Sequence, residues 1–246
     1  MRLFIFTLIT FSASITHHVP ARSYVVVWNV GQGQWVTAIS ASACLHFDMG
    51  GEYFPWRKIS TQCKDKDNFA FFSHWDWDHI GALAVWKRSP LEKSLCVAVA
   101  PHGKSSPKKM HLLKSFASCK LPPHAKELFR WSSLNKKSSN TQSHVLAFQK
   151  ILLPGDSPIS EERKWLHNWW VQKSETLILG HHGSQTSTSA ELLKALPHLK
   201  IGISSARWGR YHHPHSAVEY RLKQARIPLI RTEDWGNLWL EQSARF

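Results

Sequence analysis

One stretch of the chain carries the side chains best suited to chemistry, Ser73-His74-Trp75-Asp76-Trp77-Asp78-His79-Ile80-Gly81. It follows the apolar run at residues 69–72, which is typical of a loop at the end of a buried strand. In an extended turn, residues two apart point the same way, so His74 and Asp76 can share one metal ion while Asp78 and His79 reach a second. Paired divalent ions activate water and polarise a phosphoryl or carbonyl oxygen, which suits hydrolysis. The alternative interpretation is a solvated acidic turn whose histidines cap a helix.

The donor types in this loop leave the metal open. Carboxylates at two of the four positions make the site harder than an all-imidazole site, so Mn²⁺ and Mg²⁺ fit beside Zn²⁺. The pattern therefore predicts two divalent ions without naming the element.

Polar chemistry recurs in the second half of the chain, where predicted strands end. Asp156 follows one strand and can bridge two metals, although an acid before Ser157-Pro158 can also cap a helix. His181 or His182 follows the next strand and can complete the second metal, which leaves the other as a supporting or packing residue. His213 or His215 can meet a substrate oxygen. Loops at one edge of a sheet collect such residues because the strands hold them in place.

The elements that must position these residues are strands and helices in two alternating rounds, which we interpret as one α/β domain. Predicted strands cover 24–30, 35–40, 44–47, 69–72, 95–100, 145–153, 176–179, 201–204 and 229–231. Predicted helices lie after the metal loop and near 160–171, 188–195 and 215–225, and residues 132–143 form a polar connection.

The charge of the chain favours a polyanionic partner. The formal charge is +14 at pH 7, and the sequence pI is about 9.8, which is typical of proteins that bind nucleic acid or an anionic membrane surface. Thirteen tryptophans are interleaved with cations, as at Trp165, Trp169, Trp170 and Lys173 or at Trp208 and Arg210. Such pairs can stack on unpaired bases, although we expect about three quarters of the tryptophans to fill the core.

The first residues resemble an export signal. Arg2 precedes an apolar stretch, and Val19-Pro20-Ala21 provides a small-residue cleavage site, so residues 1–21 are a predicted signal peptide and 22–246 the mature chain. An uncleaved anchor is the competing interpretation. No later run approaches 18 apolar residues, so we expect no stable membrane insertion and a periplasmic or secreted location. Cys44, Cys63, Cys96 and Cys119 fit either disulfides in an oxidising compartment or buried free thiols.

Seven motifs, in order, resemble the metallo-β-lactamase superfamily, and within it the soluble carboxyl-terminal hydrolase domain of ComEC-type competence proteins. Residues 29–34 resemble its opening V-G-Q-G-D with Gln34 in place of the acid, residues 47–51 its D-x-G-G turn, and residues 73–81 its S-H-x-D-x-D-H-x-G signature. The other motifs lie at 152–156, 181–187, 210–215 and 231–236, and residues 140–143 resemble an N-x-x-S found in ComEC-like domains.

This resemblance implies a four-layer αββα sandwich with a two-metal site at the sheet edge. By analogy, His74 and Asp76 bind the first metal, Asp78 and His79 the second, Asp156 bridges them, and His182 or His181 completes the set. The implied activity is a nuclease that cleaves DNA, with single-stranded DNA as one candidate form, by a hydroxide activated by two metals and with His213 or His215 donating to the substrate or leaving group. The alternatives are hydrolysis of a lactam, lactone or nucleotide, and a basic DNA-binding module without turnover.

Overall fold

The computed structural model describes residues 23–134 and 137–242, and within these ranges the chain forms two β-sheets. The strands are β1 (Ser23–Val27), β2 (Trp35–Ile39), β3 (Ala43–Met49), β4 (Asp67–Phe71), β5 (Leu95–Val99), β6 (Ala117–Ser118), β7 (Phe129–Trp131), β8 (Val145–Phe148), β9 (Ile151–Leu153), β10 (Thr176–Ile178), β11 (Ile201–Ser204), β12 (Leu229–Arg231) and β13 (Leu238–Gln242).

Each sheet contains an antiparallel part and a parallel part. The first has the order β13-β1-β2-β3-β4-β5-β6, and its strands run parallel from β3 onwards. The second has the order β12-β11-β10-β9-β8-β7, and its strands are parallel from β12 to β9. The carboxyl ends of parallel strands lie at one edge of a sheet, and chemistry-bearing loops collect there.

Helices pack on the outer faces of the sheets and also occupy the loops at their edges. They are α1 (Trp56–Cys63), α2 (Trp77–Ile80), α3 (Leu83–Trp86), α4 (Pro107–Lys114), α5 (Ile159–Trp165), α6 (Trp169–Gln172), α7 (Ala190–Lys194), α8 (Trp208–Tyr211), α9 (Ser216–Gln224) and α10 (Thr232–Trp235).

Three hydrophobic cores separate the layers. Phe72 packs with Ile59, Leu83 and Trp86 between the first sheet and its helices. Its neighbour Phe71 points the other way, into the core between the two sheets, because successive side chains alternate across a strand. A third core joins the second sheet to α5, α7 and α9. The four-layer αββα sandwich is therefore confirmed.

Several predicted elements differ from the structure. The single strand predicted at 145–153 is two antiparallel strands, β8 and β9, because Gln149 and Lys150 both have positive φ and form a two-residue turn. The helix predicted near 160–171 is divided into α5 and α6. Strands β7 and β13 and helix α1 lie where the sequence patterns predicted no element.

The sequence left disulfides and buried free thiols as alternatives for the four cysteines, and the structure has two disulfides. Cys44 is bonded to Cys63, which joins β3 to α1, and Cys96 is bonded to Cys119, which joins β5 to the segment after β6. Disulfides persist in oxidising compartments. The predicted signal peptide at residues 1–21 lies outside the described residues. Among the helices of the described part, none is both long and apolar enough to cross a membrane.

Fewer tryptophans fill the core than the sequence suggested. Trp165, interpreted as a stacking residue, is buried, and its indole N–H donates to Ser157. The buried tryptophans are Trp28, Trp35, Trp75, Trp86 and Trp165, whereas Trp77, Trp169, Trp208, Trp235 and Trp239 are exposed. The estimate of three quarters was therefore wrong, because long indole rings also occupy the loops and sheet edges of this fold.

Candidate metal centre

The candidate metal centre lies where parallel strands of both sheets end. The loop after β4 carries His74 and leads into α2, which holds Asp78 and His79. Asp156 follows β9, and the histidine pair His181 and His182 follows β10. The two sheets thus each contribute one side of the site.

The histidine pair adopts an uncommon backbone. His181 and His182 have φ values of 49° and 56°, in the left-handed region that disfavours residues with a side chain. The His181 amide donates to the Gly155 carbonyl, which ties this turn to the loop of Asp156. Such strain is found mostly at functional sites, where the surrounding structure maintains it.

The carboxylate of Asp156 is the centre of the site. Its Oδ1 lies 3.1 Å from His79 Nε2 and 3.9 Å from His182 Nε2. Its Oδ2 lies 3.4 Å from the Nε2 atoms of both His74 and His181. The Asp156 backbone amide donates to Ser143 Oγ, and the residue is only 3% exposed. Each carboxylate oxygen therefore faces its own pair of imidazoles.

Two further carboxylates complete the two sets. Asp76 Oδ2 lies 3.5 Å from His74 Nε2, on the side of Asp156 Oδ2. Asp78 Oδ2 lies 3.2 Å from His182 Nε2, on the side of Asp156 Oδ1. Both acids are partly exposed, so they border the opening of the site. The structure thus brings together every residue that the sequence predicted as a metal ligand.

Hydrogen bonds fix which nitrogen of each ring faces the centre. Ser73 Oγ donates to Asp48, so it accepts from His74 Nδ1. His79 Nδ1 donates to Asp48 Oδ2, and His182 Nδ1 donates to the Ser205 carbonyl oxygen. With Nδ1 carrying the proton, the Nε2 lone pair of each ring points at the site, which is the arrangement of metal-binding histidines.

These atoms fit divalent cations. The Nε2 of His74 and the Oδ1 of Asp156 are buried without any hydrogen-bond partner. Ligand atoms bonded to one tetrahedral ion at about 2.1 Å lie about 3.4 Å apart, which matches the distances within each set. In two groups of three residues, the ligand atoms lie within 4.8 Å of one another. The first group is His74, His79 and Asp156, and the second is Asp78, His79 and His182.

The electrostatics of the centre favour positive charge. Burial disfavours ionisation of Asp156, yet the imidazoles of His79 and His74 hold the pKa of its carboxyl well below its usual range. Burial lowers the pKa of His79, but Asp156 and Asp48 raise that pKa well above its usual range. A proton on Nε2 or a divalent cation supplies the charge that the carboxylates stabilise.

Asp48 is a functional residue that the sequence analysis placed in a motif without giving it a role. Its Oδ2 accepts from His79 Nδ1 at 2.8 Å, from Ser73 Oγ at 2.7 Å and from Gln34 Nε2 at 2.8 Å. Its Oδ1 accepts from the Ser73 amide at 2.7 Å. Asp48 therefore orients His79 directly and His74 through Ser73. Gln34, which replaces the acid of the resembled motif, supplies a donor here.

A close backbone approach explains the glycines of the D-x-G-G turn. A Cβ atom at Gly50 would lie 2.2 Å from the Asp78 carbonyl carbon and 2.3 Å from the His79 amide nitrogen. Only glycine allows this approach. The Gln34 amide also donates to the Asp78 carbonyl oxygen, so the loops of the first sheet hold the metal loop from behind.

The structure separates the two histidines proposed to act on the substrate. His213 lines a cavity of about 540 Å³ together with Asp78 and His181. Its Nδ1 accepts from Gln32 Nε2, which leaves its proton on Nε2. Burial and the neighbouring imidazoles lower the pKa of His213 to about 4. His215 instead accepts the Ala217 amide on Nδ1 and caps α9, so the structure gives it a structural task.

The residues that resemble N-x-x-S also contribute. Ser143 Oγ holds the Asp156 amide, and the neighbouring Ser139 Oγ accepts the Trp75 amide. Sequence spacing identified this segment but not its contacts, because they join loops that lie far apart in the chain.

Comparison with solved structures shows a metallo-β-lactamase fold. The metallo-β-lactamase fold protein YhfI from Bacillus subtilis is 11% identical with a TM-score of 0.59, and the match covers 89% of this chain and 99% of that chain. A diphosphatase from the PhnP family is 13% identical with a TM-score of 0.56, and the match covers 91% of this chain and 99% of the other. At such identities the likeness shows the fold alone.

Competence proteins are similar in sequence. ComE operon protein 3 of Bacillus subtilis is 32% identical over 105 residues, which are 41% of this chain and 14% of that protein. Competence protein ComA of Neisseria gonorrhoeae is 26% identical over 236 residues, which are 87% of this chain and 31% of that protein. The chain thus spans less than a third of either relative. No protein-family model matches the chain. The metallo-β-lactamase fold that the motifs implied is confirmed, and the chain is similar in sequence to a competence protein.

Proposed function

We propose that the chain is a metal-dependent phosphodiesterase that cleaves DNA. The observation that carries this proposal is the Asp156 carboxylate, whose two oxygens each face a separate set of imidazoles and one further carboxylate. These residues would hold two divalent ions, which would supply an activated water and neutralise charge on a phosphodiester.

The protein groups have distinct tasks in this proposal. Asp156 would contribute one carboxylate oxygen to each ion, and its burial and its bond to Ser143 keep it in place. Asp76 and Asp78 would each contribute to one ion at the exposed side, where the substrate would enter. His213 donates from Nε2 to a substrate oxygen, since Gln32 occupies Nδ1.

Charge supports a nucleic-acid substrate. The formal charge of +14 attracts a polyanion, and one relative that matches 87% of the chain is named as a competence protein. We place the protein outside the cytoplasm, periplasmic or secreted, with residues 1–21 as its signal. Two disulfides support this location because such bonds are rare in reducing compartments.

The test is cleavage of labelled single- and double-stranded DNA with Mn²⁺, Mg²⁺ or Zn²⁺. Asp78→Ala removes a metal ligand and should abolish cleavage. The matched control is Asp65→Ala, because Asp65 is a surface carboxylate whose side chain is 83% exposed, and this variant should cleave normally.

The other outcomes identify the other functions. Turnover of a lactam, lactone or nucleotide without cleavage of DNA would assign a small-molecule hydrolase. DNA binding that falls steeply with salt, without turnover with any metal, would assign a binding module.

A further inference from the structure

A large exposed ring lies inside the metal-binding motif. Trp77 is 41% exposed and lines the same cavity as Asp78, His181 and His213. Its neighbour Trp75 is buried and donates to the carbonyl oxygens at 102 and 103. The two tryptophans of the motif therefore differ in task, and core packing accounts only for Trp75.

Two ammonium groups lie over the Trp77 ring. Lys108 Nζ and Lys109 Nζ are 5.6 Å and 5.4 Å from its centroid. Both lysines are in the first turn of α4, where the helix dipole disfavours positive charge. Lys109 Nζ also lies 3.8 Å from Asp76 Oδ1, so the two lysines bring positive charge to the exposed side of the candidate metal centre. The bonds of Trp75 to the loop before α4 hold this helix beside the metal loop.

The same pairing of ring and cation occurs across the cavity. Tyr211 is 38% exposed and also lines the cavity. The guanidinium carbon of Arg210 lies 5.2 Å from the Tyr211 ring centroid. Glu52 accepts from Arg207 at 3.2 Å and from Arg210 at 2.8 Å, which fixes the segment that carries Tyr211 to the loop after β3.

We propose that Trp77 and Tyr211 stack on unpaired bases to either side of the cleaved phosphodiester, while Lys108, Lys109 and Arg210 bind the flanking phosphates. This inference rests on the proposed function and assigns its strand preference. In a duplex, each base face is covered by the adjacent base pairs, whereas an unpaired base offers its face to an aromatic side chain. The rings of Trp77 and Tyr211 therefore select single strands.

Binding without cleavage provides the test. Fluorescence anisotropy with the metal-free full chain compares a labelled oligonucleotide of ordinary bases with an abasic oligonucleotide of equal length and charge. The wild type should bind the ordinary strand more tightly. Trp77→Ala and Tyr211→Ala should each weaken that binding by about 5- to 150-fold and leave abasic binding unchanged.

Matched variants separate stacking from other effects. Trp77→Phe keeps an aromatic face and should recover most of the affinity. The sequence also suggested Trp169 for stacking, but Trp169 lies outside the cavity, although it is 50% exposed beside Lys173. Trp169→Ala should therefore leave the binding of both strands unchanged. Equal binding of ordinary and abasic strands by the wild type, or an equal loss on both strands in Trp77→Ala, would overturn the inference.

The cleavage assay keeps the two proposals distinct. A protein that cleaves DNA but binds ordinary and abasic strands equally retains the nuclease function and loses the stacking surface. A protein that prefers ordinary strands but does not cleave DNA with Mn²⁺, Mg²⁺ or Zn²⁺ retains the stacking surface and loses the nuclease function.

Discussion

Replacing Asp48 with Asn should weaken metal binding although Asp48 is not among the candidate ligands. One carboxylate oxygen accepts from Gln34, Ser73 Oγ and His79, and the other accepts from the Ser73 amide. The Asn side chain would keep one acceptor oxygen and present N–H groups in place of the other. These N–H groups would face the donors of the neighbouring residues at a position that is 1% exposed. His79 then loses the partner that fixes its tautomer.

The expected loss is about 10- to 100-fold in metal affinity, or about 1.4–2.7 kcal/mol. Titration with Mn²⁺ or Zn²⁺ against a competing chelator measures it. The matched control is Glu162→Gln, since Glu162 is also 1% exposed and accepts the amides of Thr188 and Ser189. That variant should lose stability and keep its metal affinity. Wild-type affinity in Asp48→Asn, or an equal loss in Glu162→Gln, would refute the reasoning.

Three other changes test separate parts of the structure. Gly50→Ala should reduce bound metal, measured by elemental analysis, because its Cβ would displace the backbone of Asp78 and His79; a full metal complement would contradict this. Burial lowers the pKa of His46 to about 4 from 6.5, so the neutral ring stabilises the fold above pH 6.5, and up to about 3 kcal/mol is lost as the pH falls from 6.5 to 4. Urea unfolding of His46→Gln should lack this component. Replacing Cys44 and Cys63 together by Ala should lower the free energy of unfolding by roughly 3 kcal/mol, since their bond spans 19 residues; unchanged urea unfolding would show that the bond constrains little.

Residues that follow apolar runs were the most predictable part of the site. The loop from His74 to His79 and Asp156 each directly follow a buried strand, so the local pattern indicated the edge of the sheet at which they lie. The αββα order of the layers came from the family that the seven motifs resemble. Local pattern could not assign both His181 and His182 to the site, because their approach to different oxygens of Asp156 depends on two consecutive left-handed residues.

Long-range contacts explain the parts that sequence did not predict. The role of Asp48 depends on hydrogen bonds to residues 25 and 31 positions away. Burial of Trp165 depends on α5 packing against the second sheet. The division of β8 from β9 came from a turn of Gln149 and Lys150, residue types that carry no strong turn signal.

The most direct measurement of the central claim is anomalous diffraction from crystals of the protein grown with Mn²⁺ or Zn²⁺. The account predicts two peaks, one between Asp156 Oδ2 and the rings of His74 and His181, and one between Oδ1 and the rings of His79 and His182. A single peak, or peaks away from Asp156, would contradict it.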